Sequence, residues 1–302
     1  MELGDKYSEE IEKIYDLHEP GPRIKATLVT VIYEPEKDDL RELLNSLDDQ
    51  TVKRFETIII DNGTDWPVKE MLQRHKSVTR YVVMKKNYGL TIGRNIGANM
   101  AQGDILIFLD DDGIPRKDFV EENLKAHRKY DIVALRGKII PKGDDIFSRL
   151  APHYDLGDEP HPYLIDTEGN SSFKKEYLLD IGGFNEELAG SGGHEGTEVT
   201  YRLVKNGVEK DRIIYYPKVI IYHDYISGFR EYLTRKTLRQ SEQKDLLIEQ
   251  YPQLYEFAED YEPPNIRSQT EPSERVKVLL IKLISHLILF LWSNLRKGKE
   301  EK

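Results

Sequence analysis

Residues 105–112 read Ile105-Leu106-Ile107-Phe108-Leu109-Asp110-Asp111-Asp112, and this stretch decides the fold. Five apolar residues in a row suit a buried parallel strand. They run straight into three carboxylates, after which Gly113 and Pro115 stop the strand. A buried strand with acids at its carboxyl end places charge at the rim of a sheet, where open α/β sheets bind ligands. Three adjacent acids repel one another, so the cluster favours a cation. Mg²⁺ and Mn²⁺ take oxygen ligands and bridge carboxylates to substrate phosphates. Taken alone, the triplet fits an acidic loop capping the next helix equally well.

The flanking sequence repeats the pattern. Ala26 to Tyr33 is an apolar, β-branched strand ended by Glu34-Pro35. Leu40, Leu43, Leu44 and Leu47 then recur at helical spacing. Phe55 to Ile60 is a second strand ending at Asp61-Asn62-Gly63, Val68 to His75 is helical, and Tyr81 to Met84 is a third strand. Ile92 to Gln102 is a helix before Ile105. Alternation of strand and helix predicts a parallel sheet covered on both faces. Glu34, Asp61 and the aspartate triplet all fall at strand ends, which marks one rim as the candidate site.

The segment Asn87-Tyr88-Gly89-Leu90-Thr91-Ile92-Gly93-Arg94-Asn95-Ile96-Gly97 is glycine-rich. Its glycines let backbone approach a ligand or a neighbouring strand. A helix beginning near Thr91 would aim amides and Arg94 at an anion. The same spacing fits a plain turn with Arg94 in a surface ion pair.

Taken together, Thr30 to Glu34, Gln50-Thr51, Ile58 to Gly63, Asn87 to Gly97 and Gly103 to Pro115 resemble a family 2 glycosyltransferase of the GT-A type. The resemblance covers roughly residues 25–230. It implies a Rossmann-like, mostly parallel sheet with helices on both faces, and a nucleotide-sugar donor. It also implies that Glu34 and Asp61 hold the nucleoside base and that Arg94 lies near the base or diphosphate. Asp110 and Asp112 would hold Mg²⁺ or Mn²⁺ against the diphosphate, with Asp111 supporting them.

Later residues extend the resemblance. Phe119 to Lys129 reads as a helix and Ile132 to Leu135 as a strand. Residues 141–170 read as a long loop over the site, with His153 and His161 facing solvent. Phe173 to Ile181 reads as a helix ended by Gly182-Gly183. In Gly193-His194-Glu195-Gly196-Thr197-Glu198, the residues Glu195, Glu198 and Arg202 share one helix face. The family usually carries Glu-Asp here, the Asp often being the base for the acceptor hydroxyl. This chain has Gly196 at that position, which makes Glu195 the first candidate base and Glu198 the second. The alternative is a helix-start acid plus a Glu198–Arg202 pair. Ile213 to Tyr216 and Val219 to Tyr222 are strand-like runs broken by Pro217, and His223 after them resembles a late metal ligand.

Three regions follow: an N-terminal extension (1–23) with a short helix around Ile11 to Leu17, a transferase domain (24–228), and a C-terminal helical appendage (229–302). In the appendage, Arg230, Arg235, Lys236 and Arg239 cluster, suiting an anionic acceptor such as a lipid diphosphate or a solvated helix face. Residues 261–273 read as a linker. The helix at 275–297 has an apolar face and a basic edge, the layout of an in-plane membrane helix or of a helix packed on protein.

The 302-residue chain has no cysteine, so disulfides, thiolate metal sites and a cysteine nucleophile are excluded. Its formal net charge of −10 argues against broad nucleic-acid binding. No secretory signal is visible, and the expected location is the cytoplasm, peripheral on the inner face of the cell membrane. The expected activity is metal-dependent transfer of a sugar from a nucleotide diphosphate sugar to a hydroxyl on a glycan or lipid-linked acceptor, with inversion. The rivals are an inactive sugar- or lipid-binding scaffold and a sugar nucleotidyltransferase. The second is disfavoured by the acidic Tyr33-Glu34-Pro35-Glu36 where a basic glycine-rich loop is needed.

Overall fold

A computed structural model describes residues 5–143, 146–147, 150–188, 194–224, 226, 228–234, 240–261 and 272–300. Its strands are β1 (Ile11–Asp16), β2 (Ala26–Ile32), β3 (Phe55–Asp61), β4 (Val78–Met84), β5 (Ile105–Leu109), β6 (Ile114–Pro115), β7 (Ala134–Ile140), β8 (His161–Pro162), β9 (Asn170–Lys174) and β10 (Ile213–Tyr222). The helices around the sheet are α1 (Lys37–Asp48), α2 (Lys69–Leu72), α3 (Leu90–Met100), α4 (Phe119–Lys129), α5 (Lys175–Asp180) and α6 (Glu195–Lys205). Beyond it follow α7 (Phe229–Thr234), α8 (Gln240–Gln250), α9 (Leu254–Glu259) and α10 (Arg275–Glu300).

The strands lie in the order β1-β4-β3-β2-β5-β9-β7-β10-β6, with β8 pairing to β10. From β4 to β5 the ladders are parallel, as the alternation implies. The chain runs outward from β2 through β3 to β4, then returns to β5 on the other side of β2. That reversal opens a crevice at the carboxyl ends of β2 and β5, the place where such sheets bind ligands. Beyond β5 the sheet is mixed: β9 runs antiparallel to both β5 and β7, and β10 is parallel to β7.

Successive residues of a strand face opposite ways, and β2 and β5 use this to feed two cores. Leu28, Ile32, Ile107 and Leu109 pack with Leu40, Leu43, Leu44 and Leu47 of α1 and with Phe119 of α4. Val29, Val31, Leu106 and Phe108 pack on the other face with Ile96 of α3 and Val199 of α6.

The glycines of α3 serve that packing. A Cβ on Gly93 would come 2.8 Å from Val31 Cγ1, and one on Gly97 would run into Val29. Gly-to-Ala inside a helix ordinarily gains about 0.5–1 kcal/mol. At Gly97 overpacking, costing about 1–3 kcal/mol, outweighs the gain. Gly97→Ala is therefore expected to lower the urea midpoint. A raised midpoint would contradict this packing account.

Several sequence expectations are corrected here. Residues Ile11–Asp16 form a strand, not a helix, because β4 would otherwise leave an edge of unpaired backbone groups. Tyr15 stacks on Tyr81 across that pair at 5.8 Å. The expected helix at Phe173 is strand β9, with only Lys175–Asp180 helical. Ser171, Ser172 and Phe173 are buried between β5 and β7, and Phe173 meets Phe108 edge-on at 5.9 Å. Pro217 does not break β10, which absorbs it through an irregularity in its pairing with β7 between Tyr216 and Ile220.

Residues 150–170 are not a free loop. Ala151, Tyr154, Leu156, Tyr163, Leu164 and Ile165 are buried. His153 and His161 are half-buried, and His161 leans on the Tyr215 ring at 5.2 Å. Burial pushes the His153 imidazole below its usual range.

Within the appendage, Leu247 of α8 and Leu254 of α9 pack on Leu188 and Tyr201, so these helices close over α6. Arg230 is exposed, whereas Arg235, Lys236 and Arg239 lie outside the described residues. No described helix is long and apolar enough to cross a membrane. On α10, Val276, Leu279, Leu280, Leu283, Ile284, Leu287 and Ile288 are exposed and recur at helical spacing.

Candidate active site

Strand β5 delivers Asp110, Asp111 and Asp112 to the crevice, and its neighbours sort them. In the β5–β9 ladder Leu109 faces Asn170, which sets Gly169 against Asp110. The Asp110 amide donates to the Gly169 carbonyl at 3.4 Å. Arg94 reaches across from α3, and its Nη2 donates to Asp110 Oδ1 at 3.0 Å. Arg94 is only 3% exposed and its guanidinium lies 5.5 Å from the Phe184 ring centre. Its Nη1 is buried without a partner among the described residues. A buried donor left unpaired is costly, which suits an acceptor arriving with a ligand.

A Cβ on Gly169 would collide with the Asp110 carboxylate. Gly169→Ala should therefore displace that carboxylate from Arg94 and weaken any donor held by the pair. The expected readout is loss of nucleotide-sugar-induced thermal stabilisation from a folded variant. Undiminished stabilisation would mean Asp110 takes no part.

Asp112 faces the other way. The β6–β10 pairing sets Ile114 opposite Tyr222 and so brings His223 beside Asp112. His223 Nε2 lies 3.2 Å from Asp112 Oδ2, and its Nδ1 lies 3.1 Å from the Tyr154 hydroxyl. Lys142 Nζ donates to the Asp112 carbonyl at 3.3 Å and to Asp39 at 2.8 Å. Burial works to raise the Asp112 carboxyl. The hydrogen bond and charge of His223, with Lys142, outweigh it and hold the group below its usual range. Asp111 shows the opposite balance: burial, then the charges of Asp112 and Asp110, push it up to about 8.

Among the described residues no three His, Asp or Glu groups are gathered closely enough to hold a metal ion by themselves. Two carboxylates are oxygen donors of the kind that a hard dication takes when substrate and water complete its shell. The side chains of Asp110 and Asp112 are 42% and 48% exposed, and His223 adds an imidazole nitrogen. Mg²⁺ in particular is held by one or two carboxylates plus phosphate oxygens and water.

The other predicted residues are placed less directly. Glu34 is exposed with φ of 49°, and its Oε1 accepts the Asp65 amide at 2.9 Å. Asp61 is 3% exposed and occupied: Oδ1 accepts the Gly63 and Thr64 amides at 3.1 and 2.8 Å, and Oδ2 accepts the Tyr81 hydroxyl. Asp61 thus shapes the turn after β3. Its neighbour Asn62, absent from the sequence-based set, binds Asn87 at 2.8 Å and the Tyr88 amide at 2.9 Å, aligning the glycine-rich segment.

At the start of α6, Glu198 is fully buried and binds Arg202 through both oxygens, at 2.5 and 2.7 Å. Arg202 also donates to the carbonyls of Ile181 and Gly183 at 2.6 and 2.7 Å. Glu195 is 1% exposed. Beside it stands Glu168, which sequence reasoning missed because it lay in a stretch read as loop. Glu168 Oε1 accepts the Gly196 amide at 2.5 Å. Burial, then the charge of Glu195, push the Glu168 carboxyl up to about 7 against the pull of Arg94.

The switch-point crevice, with acids from β5 facing Arg94 and His223, belongs to a GT-A fold. Solved structures of this fold superpose on the chain. A structure of Staphylococcus aureus TarS 1-349 in complex with UDP-GlcNAc has a TM-score of 0.54 at 16% identity, covering 83% of this chain and 78% of that one. The Pyrobaculum calidifontis mannosyltransferase PcManGT, in complex with GDP-Man and Mn²⁺, has a TM-score of 0.54 at 17% identity over 74% and 64% of the two chains. At such identities the likeness shows the fold alone. The sequence pattern of glycosyl transferase family 2 matches residues 27–183, and the chain belongs to that family. Among its relatives, an uncharacterized glycosyltransferase YfnE of Bacillus subtilis is 30% identical over 243 residues, 61% of this chain and 62% of YfnE. A pre-mycofactocin glycosyltransferase of Mycobacterium tuberculosis is 24% identical over 72% of this chain and 46% of its own length. The chain thus spans about half to three-fifths of the length of these relatives.

Proposed function

We propose that this chain transfers a sugar from a nucleotide diphosphate sugar to a hydroxyl acceptor, with a divalent cation and inversion. The observation that carries the reading is the pairing of Asp110 with buried Arg94 and of Asp112 with His223 at one switch-point crevice. The relatives that carry glycosyltransferase names, and fold neighbours bound to UDP-GlcNAc or to GDP-Man with Mn²⁺, support it.

In this reading Asp110, Asp112 and His223 hold Mg²⁺ or Mn²⁺. When bound, the cation offsets charge that builds on the leaving diphosphate. Arg94 presents its unpartnered Nη1 to a diphosphate oxygen and orients Asp110. Glu34 and Asp61 flank the base, Asp61 by shaping the turn after β3. Glu198 fixes Arg202, and through it the segment after α5, so it acts as a positioning residue. A buried carboxylate beside the start of α6, where Glu195 and Glu168 meet, takes the acceptor proton.

The decisive experiment is a panel of nucleotide sugars, with and without Mn²⁺ or Mg²⁺, scored by thermal stabilisation and by released nucleoside diphosphate. A bound donor raises stability by mass action, by about 2.7 kcal/mol at one hundred times Kd. Stabilisation without nucleotide release, across many hydroxyl acceptors, would favour the inactive scaffold.

The acceptor side of the reading is a lipid surface. The exposed apolar stripe of α10 is flanked by Arg275, Lys277 and Lys282, with Arg296, Lys297 and Lys299 further along the sequence, and no acid intervenes before Glu300. The whole chain carries −10, so this helix opposes the rest in sign and suits an anionic bilayer. The helix would keep the transferase peripheral on the inner membrane face, near a lipid-linked acceptor. Co-sedimentation with phosphatidylglycerol vesicles, lost on replacing Leu280, Leu283 and Leu287 by glutamine, is the expected result. Equal binding by that variant would remove the membrane role.

A further inference from the structure

Gly196 is the second residue of α6, and the space beside it is already taken. A Cβ there would lie 2.7 Å from Glu168 Oε1 and 2.6 Å from the Ile165 carbonyl oxygen. The Glu168 carboxylate therefore fills the volume in which a side chain at position 196 would begin. It is fixed there by the Gly196 amide, and the Ser171 hydroxyl sets its turn by donating to the Glu168 carbonyl at 2.8 Å. Glu168 also directly precedes Gly169, the residue that buttresses Asp110.

We infer that Glu168 is the carboxylate that accepts the proton of the acceptor hydroxyl, brought in from the β9 approach in place of a side chain on α6. The inference rests on the glycosyl-transfer reading above and adds a catalytic residue to it. Three features separate it from a mere helix cap. A neutral Ser or Asn would cap the helix without placing a second acid beside buried Glu195. Among the described residues only the Gly196 amide, beside Glu168's own backbone N–H, donates to this carboxylate, and no cation pairs with it directly. Arg94 links the two halves of the site, ion-pairing with Asp110 while its charge acts on Glu168. A carboxyl poised near neutrality by burial and a like-charged neighbour suits a general base.

The step balances without a further reactant. The acceptor oxygen bonds to the anomeric carbon as its proton passes to Glu168. The anomeric C–O bond to the diphosphate breaks, and its electron pair leaves on the diphosphate oxygen.

The test uses the full chain and a panel beginning with UDP-GlcNAc and GDP-mannose with Mn²⁺, reading nucleoside diphosphate release to water and to hydroxyl acceptors. Glu168→Gln keeps an oxygen for the Gly196 amide but cannot accept the proton. It should lose about 100-fold or more in kcat. Donor KM and donor-induced thermal stabilisation should be unchanged, and the melting temperature equal or higher because a like-charge contact is gone. Added formate, a small carboxylate that can enter the space vacated in Glu168→Ala, should recover at least about tenfold of the turnover that this variant loses. The inference is overturned if Glu168→Gln keeps more than about a third of wild-type turnover. It is also overturned if activity falls only together with melting temperature and donor binding, or if formate recovers nothing in a folded Glu168→Ala. A wild-type chain that binds donor yet never releases nucleotide would instead remove the glycosyl-transfer reading, and this assignment with it.

Discussion

Replacing Asp110 and Asp112 together by alanine is expected to abolish metal-dependent nucleotide release while leaving the chain folded. The side chains of Asp110 and Asp112 are 42% and 48% exposed, so their loss removes charge from the crevice without opening the core. Asp110 is half of the Arg94 pair and Asp112 half of the His223 pair. Removing a single group that stabilises developing charge costs about 10²–10³ in rate, and removing both should take turnover below detection. The controls are Asp112→Asn and His223→Gln. On the proposed function each should lower turnover and raise the Mn²⁺ concentration needed for half-maximal rate, because each would weaken one ligand of the ion. Turnover that persists in the double variant with an unchanged metal requirement would exclude the metal role.

The second large effect concerns stability. Arg136 on β7 is wholly buried and holds residues 153–166 against the sheet. Its Nη1 donates to Asp166 at 2.6 Å and to the His153 carbonyl at 2.8 Å, while Nε and Nη2 donate to the Gly137 carbonyl at 3.2 and 3.1 Å. The Tyr163 and Tyr215 rings flank it, 5.9 and 5.3 Å from the guanidinium carbon. Breaking a buried ion pair by removing one partner costs about 3–5 kcal/mol. The Asp166 side chain is 18% exposed, so water softens the loss, and the lower part of that range applies to Arg136→Met. Urea unfolding should show the drop, and the double change Arg136→Met with Asp166→Asn should recover part of it. A midpoint unmoved by Arg136→Met would mean the segment is held by its apolar residues alone.

Much of this architecture is legible in the sequence, for identifiable reasons. Strand β5 is a continuous apolar run, and β2 and β3 carry apolar or β-branched residues at most positions, because both faces of the sheet are covered. Leu40, Leu43, Leu44 and Leu47 disclose α1 because its inner face alone is apolar. Acids at the ends of β3 and β5 disclose the rim. Strand β9 was hidden because Asn170, Ser171 and Ser172 are polar yet buried, their environment being supplied by β5 and β7 far away in sequence. Strand β1 was hidden because its pairing depends on an edge that no local pattern announces. Glu168 escaped for a related reason: only folding sets it beside Gly196, and the missing side chain at 196 was the single trace it left. Asp61 was found as a strand-end acid, but nothing local told that Tyr81 and two amides would occupy it.

The place of β9 also bears on how the molecule comes into being. It is a wedge that joins β5, made early, to β7 and β10, made later, and its first residues press Gly169 against Asp110. A growing polypeptide that has finished only residues up to Asp112 owns the aspartates but not the wall behind them. On the proposed function, donor capture would therefore come late in synthesis, and a released fragment ending before residue 169 is expected to bind no nucleotide sugar.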